Sequence, residues 1–154
     1  MKALHGESTA TVLAPLDECV ALLSAVDRYP SWYPEVVREV VVVEVGHDGR
    51  PIRVQVTLHM AHGPIVKDFH LLTAISVEEA PATVKLIRIP SESSDDEEFA
   101  VIWRLEDRGN THIHLQLDAS LSVPRFLPLG GIATAFADGF MGAATRALAP
   151  EPSR

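Results

Sequence analysis

A change in hydrophobic period late in the chain is the sequence feature that most constrains the fold. Over residues 52–121, several segments alternate apolar and polar residues, which is typical of half-buried strands. Over residues 125–148 the apolar side chains recur instead at helical spacing, with Phe136 and Phe140 one turn apart. An antiparallel sheet has one face to cover, and this segment is the only predicted helix long enough to cover it. We therefore predict an α+β fold, in which a curved sheet around one helix can leave space between the two.

The rest of the chain is predicted to form short strands and two short helices. Pro15 suits the first position of a helix, and Asp27 suits the cap of a second, shorter helix that ends before Pro34. We predict strands at 8–13, 36–45, 52–60, 65–75, 83–89, 99–105 and 111–121. Alternation assigns an inward face to two of them. The residues on these faces are Ile52, Val54, Val56, Leu58 and Met60, and Ile113, Leu115, Leu117, Ala119 and Leu121. The inward face of the strand at 65–75 stays ambiguous.

Length and charge exclude several classes of protein. A chain of 154 residues fits one domain, which we place at 1–149, followed by a frayed tail at 150–154. The formal net charge of -8 disfavours binding to nucleic acid or to an anionic membrane surface, because both need clustered Lys and Arg. Membrane insertion is not expected, since no apolar run approaches the roughly 20 residues of a spanning helix.

Cysteine content and the N-terminus indicate the compartment. The single cysteine, Cys19, excludes an internal disulfide framework and a cysteine-rich zinc site. Residues 1–7 lack the apolar segment of a secretory signal peptide. We therefore expect a soluble, reduced, cytoplasmic domain that needs no cofactor and is a monomer or a homodimer.

The polar motifs do not assemble a catalytic or metal site. His112 and His114 share the outward face of their strand, so a solvated surface is a better interpretation than zinc binding. Asp68 and His70 share a strand face, but their spacing is too wide for a dependable hydrogen bond, and no G-x-S-x-G motif occurs. The acidic residues within 92–98 lack calcium-loop spacing and are typical of a solvated hairpin tip.

Several short motifs, in their order along the chain, resemble one superfamily. They are Ala14-Pro15, DRYPSWYP at 27–34, GPIVKD at 63–68, Phe99-x-x-x-Trp103-x-Leu105 followed by Gly109-Asn110-Thr111, and Val123-Pro124 before the long helix. The chain resembles the START-like (SRPBCC) superfamily, in particular its polyketide cyclase/dehydrase and Coq10-like branch. The resemblance implies the helix-grip fold, a curved antiparallel sheet of six to seven strands around a long C-terminal helix. It also implies a deep apolar cavity that holds a lipid-like, isoprenoid or polyketide ligand.

The implied cavity defines the residues that we expect to contact a hydrophobic small-molecule ligand. They are Trp32, Tyr33, Val54, Val56, Leu58, Met60, Phe69, Arg88, Leu129, Ile132, Phe136 and Phe140. Tyr33 and Arg88 would orient the ligand through polar groups. Tyr29 and Trp32 either edge the cavity mouth or pin the short helices to the sheet. The glycines of the last helical segment indicate close packing, a later helix start or room for a ligand, and they are Gly130, Gly131, Gly139 and Gly142.

Three functions remain open on this basis, because a fold alone does not decide function. The first is a carrier or sensor that buries an apolar ligand under the long helix. The second is a polyketide aromatase/cyclase, since superfamily members of that kind use an inward Arg and Tyr pair to polarise a ketone; Tyr33 and Arg88 are the candidates here. The third is a protein-interaction module, which predicts an exposed apolar patch.

Overall fold

The structure, a computed structural model, describes residues 2–62, 65–90, 97–121 and 131–149. The elements are β1 (Lys2–Val12), α1 (Leu16–Ser24), a 3-10 turn (Val26–Arg28), α2 (Tyr29–Trp32), β2 (Val37–Val45), β3 (Pro51–His62), β4 (Ile65–Glu79), β5 (Ala82–Arg88), β6 (Glu98–Arg108), β7 (Asn110–Leu121) and α3 (Ile132–Leu148). Leu129, the predicted tail at 150–154 and most of the acidic segment lie outside the described residues.

All seven strands form one antiparallel sheet in the order β1-β7-β6-β5-β4-β3-β2. From β2 to β7, each strand pairs with the next one along the chain, as hairpin connections require. The N-terminal strand returns to pair with β7, so β1 and β2 are the two edges. The predicted α+β architecture is confirmed: a seven-stranded sheet, short helices after the first strand and a long C-terminal helix.

The first strand is longer than its sequence pattern indicates. We predicted a strand at 8–13, whereas β1 runs from Lys2 to Val12 and pairs with β7 over its whole length. The sequence before Ser8 contains Gly6 and charged residues, which are uncommon in strands. Its strand conformation therefore depends on pairing with β7, which a local pattern does not reveal.

Cross-strand register settles which side of each strand faces inward. On β7, four predicted inward residues are buried: Ile113, Leu115, Leu117 and Ala119. On β3, Val54 is fully buried and Leu58 half-buried, but Ile52 is exposed at the start of the strand, so its inward assignment was wrong. The ambiguous face of β4 is resolved because Phe69 lies opposite Leu58, and Leu71 opposite Val56. Phe69, Leu71, Thr73 and Ile75 thus face inward on β4.

The long helix rests on one side of the sheet. Helix α3 begins at Ile132, because Gly131 has a φ of 80° and so breaks the continuous helix that we predicted across 125–148. The helix packs mainly on β1 and less on β7. Gly6 permits this close crossing, since a Cβ there would collide with the backbone carbonyl of Ala133. The helix is therefore held tightly at the β1 edge of the sheet.

Buried polar contacts fix the two short helices on the sheet. The Thr111 hydroxyl on β7 donates a hydrogen bond of 2.7 Å to the carbonyl of Ala14, just before α1. The Tyr29 hydroxyl donates one of 2.6 Å to the carbonyl of Leu23 at the end of α1. Cys19 is fully buried in α1, and this burial raises the pKa of its thiol, which makes it a poor nucleophile. These contacts fix the position of α2 and of Tyr33, which follows it.

Strand β2 is an edge with exposed valines. Val41, Val43 and Val45 are each at least half exposed, at 50%, 56% and 56%. Register shifts interrupt the pairing of β2 with β3 at two places near these valines. Bulges of this kind twist an edge strand and hinder further strand pairing. The edge is apolar in composition and irregular in backbone geometry.

Candidate functional site

An apolar cavity lies between the concave face of the sheet and α3. We call it the inner cavity, and its lining residues are Leu4, Val36, Leu58, His59, Met60, Phe69, Leu71, Phe99, Leu117, Ala119, Ala133, Phe136 and Phe140. Four of these are phenylalanines. His59 is the one described lining residue with a polar side chain, and that side chain points to the opposite face of the sheet, where it pairs with Asp68. The lining thus offers shape and apolar surface but few hydrogen-bonding groups.

A second chamber, the deep lobe, adjoins the inner cavity on the side of the short helices. Both share Leu58, Leu71, Phe99 and Phe140 in their walls, and the deep lobe adds Tyr29 and Thr73. The space open to the centre of a water-sized sphere is about 40 Å³ in the inner cavity and about 20 Å³ in the deep lobe. One water needs roughly 10–15 Å³ on this measure, so the closed cavity admits a few small groups and no lipid-sized molecule.

An outer groove opens on the other side of Phe136. Its walls are Tyr33, Val36, Ala61, Ile132, Ala135 and Phe136, and on the same measure its volume is about 190 Å³. Phe136 and Val36 line the outer groove and the inner cavity alike. The Phe136 side chain is half-buried, so its ring is a partition between the two spaces.

Aromatic rings join the two short helices to α3. The Tyr33 and Phe140 ring centroids lie 4.7 Å apart in an edge-to-face arrangement, and those of Tyr29 and Trp32 lie 4.6 Å apart. Burial raises the pKa of Tyr29, whose hydroxyl is hydrogen-bonded to the backbone. Tyr29 therefore serves as packing in the wall of the deep lobe, the second of the two interpretations of this cluster.

Solved structures of other proteins share this architecture over nearly the whole chain. A START superfamily protein from Mycobacterium smegmatis matches with a TM-score of 0.68 at 16% identity, over 94% of this chain and 96% of that one. A major latex-like protein from Panax ginseng matches with a TM-score of 0.68 at 10% identity, over 96% and 99%. The chain has the START-like helix-grip fold. The Zhui aromatase/cyclase from Streptomyces sp. R1128 shares it, with a TM-score of 0.56 at 20% identity over 94% of this chain and 86% of that one.

Sequence comparison gives no assignment beyond this START-like fold. No protein-family model matches the chain. No curated protein matches it either. Identities of 20% or less to the solved structures establish the fold alone. The function must therefore be argued from this chain's own site.

The predicted apolar residues divide between cavity walls and solid core of the START-like domain. Leu58, Met60, Phe69, Phe136 and Phe140 line the inner cavity. Val56 lines the deep lobe and Ile132 the outer groove. Val54 is fully buried and forms part of the packed core instead. Trp32 is half-buried and outside the three described cavities, and its indole N–H has no hydrogen-bond partner within the described residues.

The two predicted polar residues lie in different places. Tyr33 is a wall of the outer groove. Arg88 shares a strand face with inward residues, but its guanidinium Nη1 donates a hydrogen bond of 2.7 Å to the carbonyl of Glu97. Arg88 is absent from the walls of the described cavities. The Tyr33 and Arg88 combination that we considered for ketone polarisation does not share a cavity.

Glycine spacing on α3 reveals a polar residue that the sequence reasoning missed. A Cβ at Gly139 would collide with the Tyr33 hydroxyl, and one at Gly142 would stand 3.4 Å from Nη1 of Arg146. Positions 139, 142 and 146 recur at the i, i+3, i+7 spacing of one helix face. That spacing is the signal that could have identified Arg146.

The histidines form pairs on the convex, outward face of the sheet. Nδ1 of His59 lies 2.7 Å from Oδ1 of Asp68 across β3 and β4, so Asp68 pairs with His59 and not with His70. His5 on β1 pairs with Asp118 and also lies 3.5 Å from Glu7. The Asp118 carboxylate raises the pKa of the His5 imidazole, with a smaller contribution from Glu7. Within the described ranges, no group of three or more potential ligands could hold a metal ion.

Among the described residues, none belongs to a helix long and apolar enough to cross a membrane.

Proposed function

We propose that this protein binds a small hydrophobic molecule in the inner cavity and deep lobe, as a carrier or sensor. The observation that carries the proposal is the pair of adjoining apolar chambers beneath α3, with four phenylalanines in the wall of the larger one. Ligand sites of this kind are concave, mostly apolar and equipped with few polar groups. The superfamily resemblance supports the same class of ligand: lipid-like, isoprenoid or polyketide-like.

The closed cavity must widen before such a ligand fits. Phe136 is the natural moving part, because its ring separates the cavity from the outer groove and is only half-buried. A ligand that buries about 200 Å² of apolar surface gains roughly 5 kcal/mol, at about 25 cal/mol per Å². That gain corresponds to a Kd of about 0.2 mM before the costs of association and of cavity opening. Tight binding therefore requires a ligand larger than this, or polar contacts in addition.

The test uses two alanines on neighbouring strands that face opposite ways. Ala119 on β7 lines the inner cavity, whereas Ala100 on β6 lies opposite the outward-facing Asp118. Ala119→Ile should fill the cavity and weaken uptake of a fluorescent fatty acid at least tenfold, while Ala100→Ile should leave uptake unchanged. Native mass spectrometry of the purified protein provides an independent readout. Absence of both a co-purifying ligand and fatty-acid uptake in the parent protein would refute the proposal.

The aromatase/cyclase alternative receives less support from the geometry. Its candidate Arg88 is engaged with the backbone of Glu97, away from Tyr33. The inner cavity has no Arg, Lys, Asp or Glu among its described lining residues. General acid–base chemistry on a polyketide needs such a group, or a histidine, within reach of the reacting atoms. His59 is paired with Asp68 on the opposite face of the sheet.

The interaction-module alternative is favoured by the exposed valines of β2. Val41, Val43 and Val45 supply the apolar patch that this alternative predicts. If the patch binds a second copy of the chain, Val43→Lys should shift a dimer to monomer in sedimentation analysis. A monomer in the parent protein at high concentration would exclude that partner. The cytoplasmic location and the lack of nucleic-acid partners stay predictions.

A further inference from the structure

The Tyr33 hydroxyl is a hydrogen-bonding group that has no partner among the described residues and is open to the outer groove. The Tyr33 side chain lines the outer groove, and the residue is only 7% exposed. Within the described part of the chain, no hydrogen bond engages its hydroxyl, although the hydroxyls of Tyr29 and Thr111 are both bonded. A polar group placed in this way normally has a partner, from the protein, from water or from a ligand.

The absence of a side chain at Gly139 of α3 makes room for that hydroxyl. The hydroxyl stands over Gly139, where any side chain would collide with it. One helical step further on the same face, Nη1 of Arg146 lies against Gly142. Positions three apart on a helix are neighbours at about 5–6 Å, so the Tyr33 hydroxyl and the Arg146 guanidinium stand over neighbouring positions of one helix face.

Both groups are suited to donate to an oxygen atom. Burial raises the pKa of Tyr33, and the nearby Glu35 raises it further while Arg146 lowers it, so the phenol stays protonated at neutral pH. Arg146 forms no ion pair with a described residue, and a guanidinium is only a donor. A carbonyl or carboxylate oxygen matches two converging donors of this kind.

The same groove adjoins the apolar cavity. Phe136 is a wall of both spaces, and it precedes Gly139 by one helical turn. A molecule whose apolar part displaced the Phe136 ring inward or sideways would bring its other end beside Tyr33. The inner cavity itself offers almost no polar partner for such an end.

From this arrangement we infer that the ligand is amphipathic and enters with a defined orientation. Its apolar tail lies in the inner cavity beyond Phe136, and one terminal acceptor oxygen, of a carbonyl or a carboxylate, is bound by Tyr33 and Arg146 over Gly139 and Gly142. This inference rests on the proposed function, since it specifies the ligand class of the same cavity.

Displacement of the neutral fluorescent probe N-phenylnaphthylamine tests the inference. The competitors are octane, methyl octanoate and octanoic acid, which share a chain and differ in the head group. In the parent protein both oxygen-bearing competitors should displace the probe at lower concentration than octane. Tyr33→Phe should weaken both about 3- to 10-fold, the range expected for one lost hydrogen bond, and leave octane unchanged. Arg146→Gln should weaken octanoic acid more than its methyl ester.

Two further variants separate binding from structural damage. Gly139→Ala keeps the hydroxyl but displaces it, so it should reproduce the Tyr33→Phe pattern. Arg104→Gln is the charge-matched control, because Arg104 lies on the outward face of β6 and bonds to Gln116 at 2.9 Å; it should change no competitor. The thermal midpoints of Tyr33→Phe, Arg146→Gln and Arg104→Gln should stay close to that of the parent, whereas Gly139→Ala shifts a packed ring and is judged by its competitor pattern alone.

The possible failures are distinguishable. If octane competes as well as its oxygen-bearing analogues, the oxygen site is refuted while apolar binding stands. If Tyr33→Phe weakens octane equally, the hydroxyl contributes packing only and the inference is wrong. If the probe itself fails to bind the parent protein, the proposed function is refuted and the inference with it. Preference for octanoic acid over the ester identifies a carboxylate, and equal binding identifies a carbonyl.

Discussion

Replacing Phe136 by alanine should accelerate ligand exchange about 4- to 12-fold. The ring is half-buried between the inner cavity and the outer groove. Full burial of a phenylalanine is worth roughly 1.5–3 kcal/mol, so swinging this ring aside costs about half of that, roughly 0.8–1.5 kcal/mol. Such a cost makes the open state about 4- to 12-fold rarer than the closed one. Without the ring, association and dissociation should both rise by that factor, with little change in Kd.

Stopped-flow fluorescence with N-phenylnaphthylamine measures both rate constants. Phe99→Ala is the matched control, because Phe99 is also half-buried and lines the inner cavity but not the groove. It enlarges the cavity without opening it, so it should alter Kd more than the association rate. Equal acceleration in both variants, or none with Phe136→Ala, would contradict the role of Phe136 as a partition.

Three further predictions concern stability. Gly6→Ala should destabilise the protein strongly, by about 2–4 kcal/mol in chemical unfolding, because its methyl group has to displace the backbone of α3. Thr111→Val should cost about 1–3 kcal/mol by leaving the buried carbonyl of Ala14 without its donor, and lower Tm by about 3–10 °C, whereas Thr111→Ser should retain most of the stability. The pKa of His5 is raised in the folded state by Asp118, so their contact stabilises below about pH 6.5 and this contribution is lost as pH rises through the raised value. Asp118→Asn should therefore lower stability at pH 6 and much less at pH 9; an equal loss at both would contradict this assignment.

Much of the fold could be predicted because its strands alternate cleanly. On β7, Ile113 and Leu115 are fully buried, as their alternation with polar residues indicates. On β4 the pattern fails, since Leu71 and Leu72 are adjacent and either could face the core. Only pairing with β3 distinguishes them, and that pairing is a property of the assembled sheet.

The candidate site was predictable in its apolar part and not in its polar part. Phe136 and Phe140 share a helix face, so their common position beneath the helix follows from spacing. We predicted Arg88 as the polar partner of Tyr33, because a charged residue inside an apolar strand is often a ligand contact. The structure instead places Arg146 near Tyr33, across a contact that joins distant parts of the chain. Sequence spacing gives the face of a helix but not which loop or strand it meets.

The tight crossing at Gly6 has a consequence for how this protein can diversify. The helix is fixed at the β1 side, while the groove opens on the opposite side, against Ala61 and Tyr33. Substitutions near the opening therefore change the size and chemistry of the accepted molecule without loosening the joint that holds the fold together. One scaffold can in this way acquire new specificities through a few substitutions at the groove. The close contact between β1 and α3 at Gly6, on the other side of the helix, tolerates almost no substitution.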